Sequence, residues 1–277
     1  MLDLTMTTTA TNAEPSPRAD APVLLRADAD GVCTLTLNRP AQYNALSEAL
    51  IGALHDALGE IAEDPSVRVV VLAGAGKAFC AGHDLKEMRA TPERAYYEDL
   101  FARCSRMMLR ILRLPQPVIA RVHGIATAAG CQLVATCDLA VASTTARFGT
   151  SGINVGLFCM TPGVALARNI ARKHAAEMLF TGKIIDAETA ARFGLINRVV
   201  APEALDDAVA ELAGSITAMS RAAIAAGKRV LYRQIEMGVE EAYAYSASEM
   251  ACNMMFHDAG EGIDAFIAKR KPKWRDE

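Results

Sequence analysis

The chain has 277 residues, 52% of them hydrophobic and 22% charged, with a formal net charge of -3. That length holds one large α/β domain with an appendage, or two small domains, and that balance supplies a buried core. A near-neutral total gives no electrostatic reason to expect nucleic acid or an anionic membrane as partner, and no apolar run is long enough to span a bilayer.

Residues 1–22 are rich in Thr, Ala and Pro, lack a secretory apolar stretch, and set Asp3, Glu14 and Asp20 against Arg18. That composition predicts a disordered tail rather than a secretory or mitochondrial leader, and hence a cytoplasmic protein. Val23–Leu25 and Val32–Leu37 flank Asp28-Ala29-Asp30-Gly31 and predict a hairpin. Ser47 stands as an N-cap before a helix through about Ala62, with Leu50, Leu54, Leu58 and Ile61 on one face.

Val67–Leu72 is a continuous apolar run, as a strand buried on both faces requires. A helix from about Pro92 to Leu112 precedes further buried strands at Pro117–Val122 and Leu139–Ala142, with a short small-residue helix, Ala128–Thr136, between them. Strands alternating with helices predict βαβ units and a largely parallel sheet. Beyond Glu203 helical periodicity takes over, as in Leu205–Ile216 and Glu240–Met250. The expected organisation is therefore an α/β core over 23–200 and a helical part over 201–277.

Seven cysteines, at 33, 80, 104, 131, 137, 159 and 252, form no C-x-x-C pair. They predict reduced, mostly buried thiols, and no His/Cys cluster has metal-ligand spacing.

Two turns of small residues follow predicted buried strands: Ala73 to Leu85, containing Ala81-Gly82-His83-Asp84, and His123 to Gln132, containing Thr127-Ala128-Ala129-Gly130. In open α/β sheets ligands collect at the carboxyl ends of strands, and small side chains let a ligand approach backbone N–H groups. The same glycines also suit ordinary turns and close packing. A phosphate loop at Gly74-Ala75-Gly76-Lys77 fails because Ala78 replaces the magnesium-binding hydroxyl. A dinucleotide fingerprint fails for want of a third glycine, which argues against a nicotinamide dehydrogenase.

Asn38-Arg39-Pro40 with Asn44-Ala45-Leu46, Phe79 to Leu85, Ala128 to Leu133 with Cys137-Asp138, Phe148-Gly149, Phe180-Thr181-Gly182, Gly194-Leu195 and Phe266 to Pro272 occur in this order. Together they resemble the crotonase (enoyl-CoA hydratase/isomerase) superfamily over roughly residues 23–275, most closely its enoyl-CoA hydratase domain-containing protein 3 group. The resemblance implies an α/β spiral of ββα units with a helical C-terminal part that assembles a homotrimer or a dimer of trimers. It also implies an acyl-CoA substrate, with coenzyme A present only as part of that substrate and no separate cofactor. The thioester oxygen would be held by the backbone N–H groups of His83 and Ala129, with Gln42, Ala45, Ala81, Gly82, Asp84, Leu85, Lys86, Thr127, Gly130 and Lys269 around the substrate. Lys86 and Lys269 match cations near the CoA phosphates, Lys269 serving a neighbouring subunit.

The pattern breaks at the two glutamates a family hydratase places around water, because Gln132 and Gly152 occupy those positions. A general acid or base contributes about 10²–10⁴-fold, so hydration should be weak. Asp138 is expected to be structural, Cys159 a wall residue rather than a nucleophile, and Glu87 a surface residue. A thioester-enolate enzyme, including a decarboxylase or hydrolase, and a silent acyl-CoA binder both fit.

Overall fold

The computed structural model describes residues 21–277, so all but the last two residues of the tail expected over 1–22 lie outside the described residues. Strands β1 (Leu24–Ala29) and β2 (Val32–Leu37) form the antiparallel hairpin. Its two-residue turn, Asp30-Gly31, has both residues at positive φ (51° and 78°), the backbone that an Asp-Gly pair favours. Helix α1 (Glu48–Glu63) starts where Ser47 Oγ accepts the Leu50 N–H, and it buries Leu50, Leu54, Leu58 and Ile61.

Three strand–strand–helix units follow. The first is β3 (Val69–Gly74), β4 (Ala78–Cys80) and helices α2 (Leu85–Ala90) and α3 (Arg94–Arg113). The second is β5 (Val118–Val122), β6 (Ile125–Thr127) and α4 (Ala129–Thr136). The third is β7 (Leu139–Ser143), β8 (Arg147–Gly149), α5 (Met160–Asn169) and α6 (Arg172–Thr181). The chain continues through β9 (Ile185–Asp186), α7 (Ala187–Phe193), β10 (Arg198–Val200), α8 (Leu205–Thr217), α9 (Arg221–Gln234), α10 (Val239–Met254) and α11 (His257–Ile267).

The first strand of each unit joins a six-stranded sheet ordered β1-β2-β3-β5-β7-β10, parallel throughout except for the hairpin. The second strand of each unit joins a smaller sheet ordered β4-β6-β8-β9, so the chain winds as a spiral between two sheets. In the large sheet, Val69, Val71, Ile119 and Val141 meet Leu205, Val209 and Ala213 of α8 on one face, while Val70, Leu72 and Ala120 join the main core on the other. Burial on both faces is what the uninterrupted apolar runs required. The helical region after residue 200 thus begins with a helix that covers the core sheet.

The signature Asn44 acts as a clamp. It is fully buried at φ 54°, its side-chain oxygen accepts the Arg39 N–H, and its amide donates to the Ala75 and Ala78 carbonyls at 2.8 Å each. No described helix is long and apolar enough to cross a membrane.

Candidate functional site

Strands β4 and β6 lie side by side in parallel, with Ala78 opposite Ile125 and Cys80 opposite Ala126. Parallel neighbours send the chain out at the same sheet edge, so Ala81-Gly82-His83 and Thr127-Ala128-Ala129 emerge together. Strand β8 pairs with the other side of β6, Thr127 opposite Gly149, and brings the loop Thr150-Ser151-Gly152 to that edge as well.

The two turns are in contact. Thr127 Oγ1 donates to the Ala81 carbonyl at 3.2 Å. A methyl group on Gly82, which has φ +94°, would come within 2.9 Å of the Ala128 Cβ and 3.3 Å of the Ala129 amide nitrogen. Any side chain on Gly130 would run into the Cys80 carbonyl, so glycine is what allows α4 to start this close to β4.

The amides of His83 and Ala129 are both unengaged among the described residues. His83 sits in a parallel bridge with Leu46, whose bonds are made by the flanking Gly82 carbonyl and Asp84 N–H, so the N–H of His83 itself faces away from Leu46. Ala129 is the first residue of α4, where N–H groups lack intrahelical acceptors. Ala128, just before it, is held at φ 50°, ψ -118°, a conformation that favours glycine and costs about 1–3 kcal/mol for other residues.

The His83 ring packs edge-on against Phe101 of α3 at 5.4 Å between centroids, and its Nε2 is buried without a partner among the described residues. Burial pushes its pKa down to about 4, which leaves the ring neutral at pH 7. The unfolded chain takes this proton below pH about 6.5, while the folded protein resists until about 4. Stability is therefore lost as pH falls through that window, by an amount on the order of 3 kcal/mol. His83→Phe is expected to flatten the fall of melting temperature between pH 6.5 and 4, measured by calorimetry at several pH values.

Asp84 is occupied structurally. Its carboxylate caps α2 through the Lys86 and Glu87 N–H groups and pairs with Arg39 at 2.9 Å, while Arg39 also donates to the Ala45 carbonyl at 2.6 Å. Burial alone would raise the Asp84 pKa, but Arg39 and the two helix amides outweigh it and hold the carboxyl below its usual range. Glu87 accepts the Glu48 N–H at 2.9 Å and so holds the start of α1. Ala45 is buried behind the first turn, whereas Gln42, Leu85 and Lys86 are exposed around it. Lys269 is exposed beyond α11 and makes no described contact with either turn.

Gln132 lies one helical turn after Ala129, is 5% exposed, and leaves Oε1 without a partner among the described residues. Gly152 stands in a 3-10 turn spanning Ser151–Val155, where a Cβ would lie 2.7 Å from the Leu157 carbonyl and 2.8 Å from Cys159 Sγ. The loop over 157–159 therefore has to move before this position can carry any side chain. Gly152→Ala is expected to cost about 1–3 kcal/mol, read as a lower melting temperature.

Cys159 is buried and its thiol is pushed up by burial; Cys80, Cys104 and Cys131 are pushed up to about 12 for the same reason. Thiolates are the nucleophilic form, so these are wall and core residues. Asp138 lies away from this edge, bonded to the Val118 N–H and Lys228 Nζ at 2.6 Å each. Among the described residues no cluster of three His, Cys, Asp or Glu could hold a metal. Sequence reasoning missed Thr150, which is fully buried at the end of β8 with Oγ1 unpartnered among the described residues. Its only signal was adjacency to Phe148-Gly149.

The paired sheets wound from strand–strand–helix units define a crotonase-type α/β fold. The model of the Enoyl-CoA hydratase/isomerase family matches residues 27–277, and the chain belongs to that family of acyl-CoA enzymes. Within it the chain falls with the enoyl-CoA hydratase domain-containing protein 3 group. The rat protein of that name is 44% identical over 245 residues, covering 88% of this chain and 82% of the relative. A crystal structure of the human protein superposes with a TM-score of 0.89 at 42% identity, covering 91% of this chain and 100% of that one. A crystal structure of an enoyl-CoA hydratase from Mycobacterium smegmatis has a TM-score of 0.90 and 64% identity, covering 92% of this chain and 99% of that one. The cytoplasmic placement expected from residues 1–22 is overturned by these comparisons, because the rat, mouse, frog and human relatives are all named as mitochondrial proteins. The composition of residues 1–22 was the wrong basis for it: a few acidic residues do not decide a compartment.

Proposed function

We propose that this protein is an enzyme that binds an acyl-CoA thioester and stabilises enolate-like charge on its carbonyl oxygen between the N–H groups of His83 and Ala129. The observation that carries this reading is the parallel pairing of β4 with β6, which puts two turns with unengaged amides at one edge. Each such donor, fixed in place before charge develops, is worth roughly 3 kcal/mol in a site sheltered from water. Backbone donors leave the side chains at 83 and 129 free to vary, which fits His and Ala there.

Hydration of an unsaturated ester is not the favoured reaction, although relatives carry that name. Gln132 cannot ionise, and Gly152 has no side chain and no room for one. Isomerisation, decarboxylation and hydrolysis remain within reach of the same oxyanion site. A silent acyl-CoA binder is the second reading, favoured by those same two positions. Isothermal calorimetry with a panel of CoA esters, followed by mass spectrometry of the mixtures, separates them. Micromolar binding with conversion of at least one ester supports the enzyme, and recovery of every ester unchanged supports the binder. Wild-type hydration of crotonyl-CoA at rates typical of the family would overturn the argument from Gln132 and Gly152.

The resemblance also supports a homotrimer or dimer of trimers. Large apolar side chains stay exposed on and beside the last two helices, Tyr243 at 77%, Met255 at 85% and Phe266 at 85%, which suits an interface between copies. Lys86 and Lys269 are assigned to the CoA phosphates on the same basis, Lys269 from the neighbouring subunit.

A further inference from the structure

Helices α1 and α3 pack side by side and leave between them a groove of about 490 Å³. Its α3 wall carries Arg106, Arg110 and Arg113, and its α1 wall carries His55, Gly59 and Glu63. Residues 106, 110 and 113 have the spacing that shares one helix face. Arg103, one turn earlier on that face, is neutralised by Glu48 and Asp99. The other three have no ion-pair partner among the described residues, although Glu63 stands across the groove. Like charges at this spacing destabilise a helix. The helix dipole suits Arg110 and Arg113 in the last turn of α3, but it does not account for Arg106 or for the wall that faces them.

That wall leaves room for a guanidinium. Gly59 lies inside α1, where only proline is less favourable than glycine, and a Cβ there would run into the Arg110 guanidinium. Arg110 lies over this gap and donates to the His55 carbonyl at 3.2 Å. His55 itself has Nδ1 buried without a partner among the described residues. Helix α1 begins where Glu87 accepts the Glu48 N–H, close to the first turn of the candidate active site, and His55 is about 10 Å further along the helix. The groove shares no lining residue with the edge that carries the two amides.

We infer that this groove is a second binding site, for a small anion that carries two linked phosphate groups. Guanidinium forks match phosphate oxygens in pairs, and three of them offer more donors than one carboxylate accepts. Residues 106 to 113 rise about 10 Å along α3, a reach that suits a diphosphate better than a single phosphate. Leu109 and Leu114 add an apolar stretch of wall for whatever carries the phosphates. A nucleic-acid backbone fits poorly, because Asp56 and Glu60 are exposed on α1 beside the groove and the chain is net acidic.

The test is calorimetry of the full chain at low salt with pyrophosphate, ADP and inorganic phosphate. Pyrophosphate or ADP is expected to bind with a Kd below about 1 mM, and inorganic phosphate at least about tenfold more weakly. In the double variant Arg106→Ala, Arg113→Ala, which removes two exposed side chains, that affinity should fall at least about tenfold. Its ligand-free melting temperature should hold or rise, because like charges are removed from one helix face. Arg113→Ala alone, near the helix end, should give a fall of about threefold and serves as the reading if the double variant does not fold. Lys86→Ala tests whether the probe sits at the thioester site instead, and should keep the wild-type affinity to within about threefold. No binding of either diphosphate, equal binding of inorganic phosphate, or a loss in Lys86→Ala with none in the arginine variants would each overturn the groove as a diphosphate site. None of these results touches the thioester reading, which the CoA-ester panel tests separately.

Discussion

Replacing Ala129 by proline is expected to lower turnover of the best CoA ester by about 10²–10³-fold while the protein stays folded. The substitution deletes a donor and is also expected to lower the melting temperature, because Ala128 before it sits at φ 50°, outside the extended backbone that a residue preceding proline prefers. Ala129 is the first residue of α4, its N–H has no acceptor within the protein among the described residues, and the first helical turn tolerates proline because the amide there bonds nothing in the helix. The substitution therefore removes one donor to the thioester oxygen and no bond that holds the helix. Ala129→Gly keeps the amide and should retain activity to within about threefold, which separates loss of the donor from loss of the side chain. The loss should fall on kcat more than on KM, because the hydrogen bond strengthens as charge moves onto the oxygen. Steady-state kinetics of the three proteins, with a thermal melt of each, decides the matter. If the folded proline variant turns over normally, the Ala129 amide is not part of the oxyanion site.

The sequence shows clearly those parts of the fold that have a period. Helix α1 could be read from Ser47 and the spacing of Leu50, Leu54, Leu58 and Ile61, and the strands of the large sheet from apolar runs. Strands β4, β6 and β8 are three residues each, too short to show alternation, yet their parallel pairing is what sets His83 beside Ala129. The site was therefore legible only through the resemblance carried by Phe79 to Leu85 and Ala128 to Leu133. Asp84 shows the opposite difficulty. In the signature it stands among ligand-facing residues, whereas the fold commits its carboxylate to α2 and Arg39. Gly152 could be seen to lack an acid, but not that Leu157 and Cys159 close the space where one would stand. Such facts depend on segments meeting in space, and local composition does not encode them.

Lys228 is a costly charge to remove. It looks like an ordinary surface lysine in the stretch Ala226-Gly227-Lys228-Arg229, but α9 lays it across the ends of three elements at 8% exposure. Its Nζ donates to the Ile111 carbonyl at 2.9 Å, the Gln116 carbonyl at 3.0 Å and Asp138 Oδ2 at 2.6 Å, using all three protons. Asp138 in turn accepts the Val118 N–H, so one ion pair ties α9 to the end of α3 and the starts of β5 and β7. Burial lowers the Lys228 pKa, and the neighbouring Asp138 opposes that shift. Lys228→Met fits the volume but takes this donor from two carbonyls and the cation from beside Asp138, which keeps only the bond from the Val118 N–H named above. It is expected to cost about 3–5 kcal/mol, or a fall in melting temperature of roughly 10 °C. Asp138→Asn in the same chain removes the stranded charge and should recover a large part of that loss, since contacting residues are not additive. Urea unfolding of wild type, the two single variants and the double variant gives the coupling. A Lys228→Met loss below about 1 kcal/mol would mean that solvent reaches Asp138 and that the pair does not bind α9 to the core.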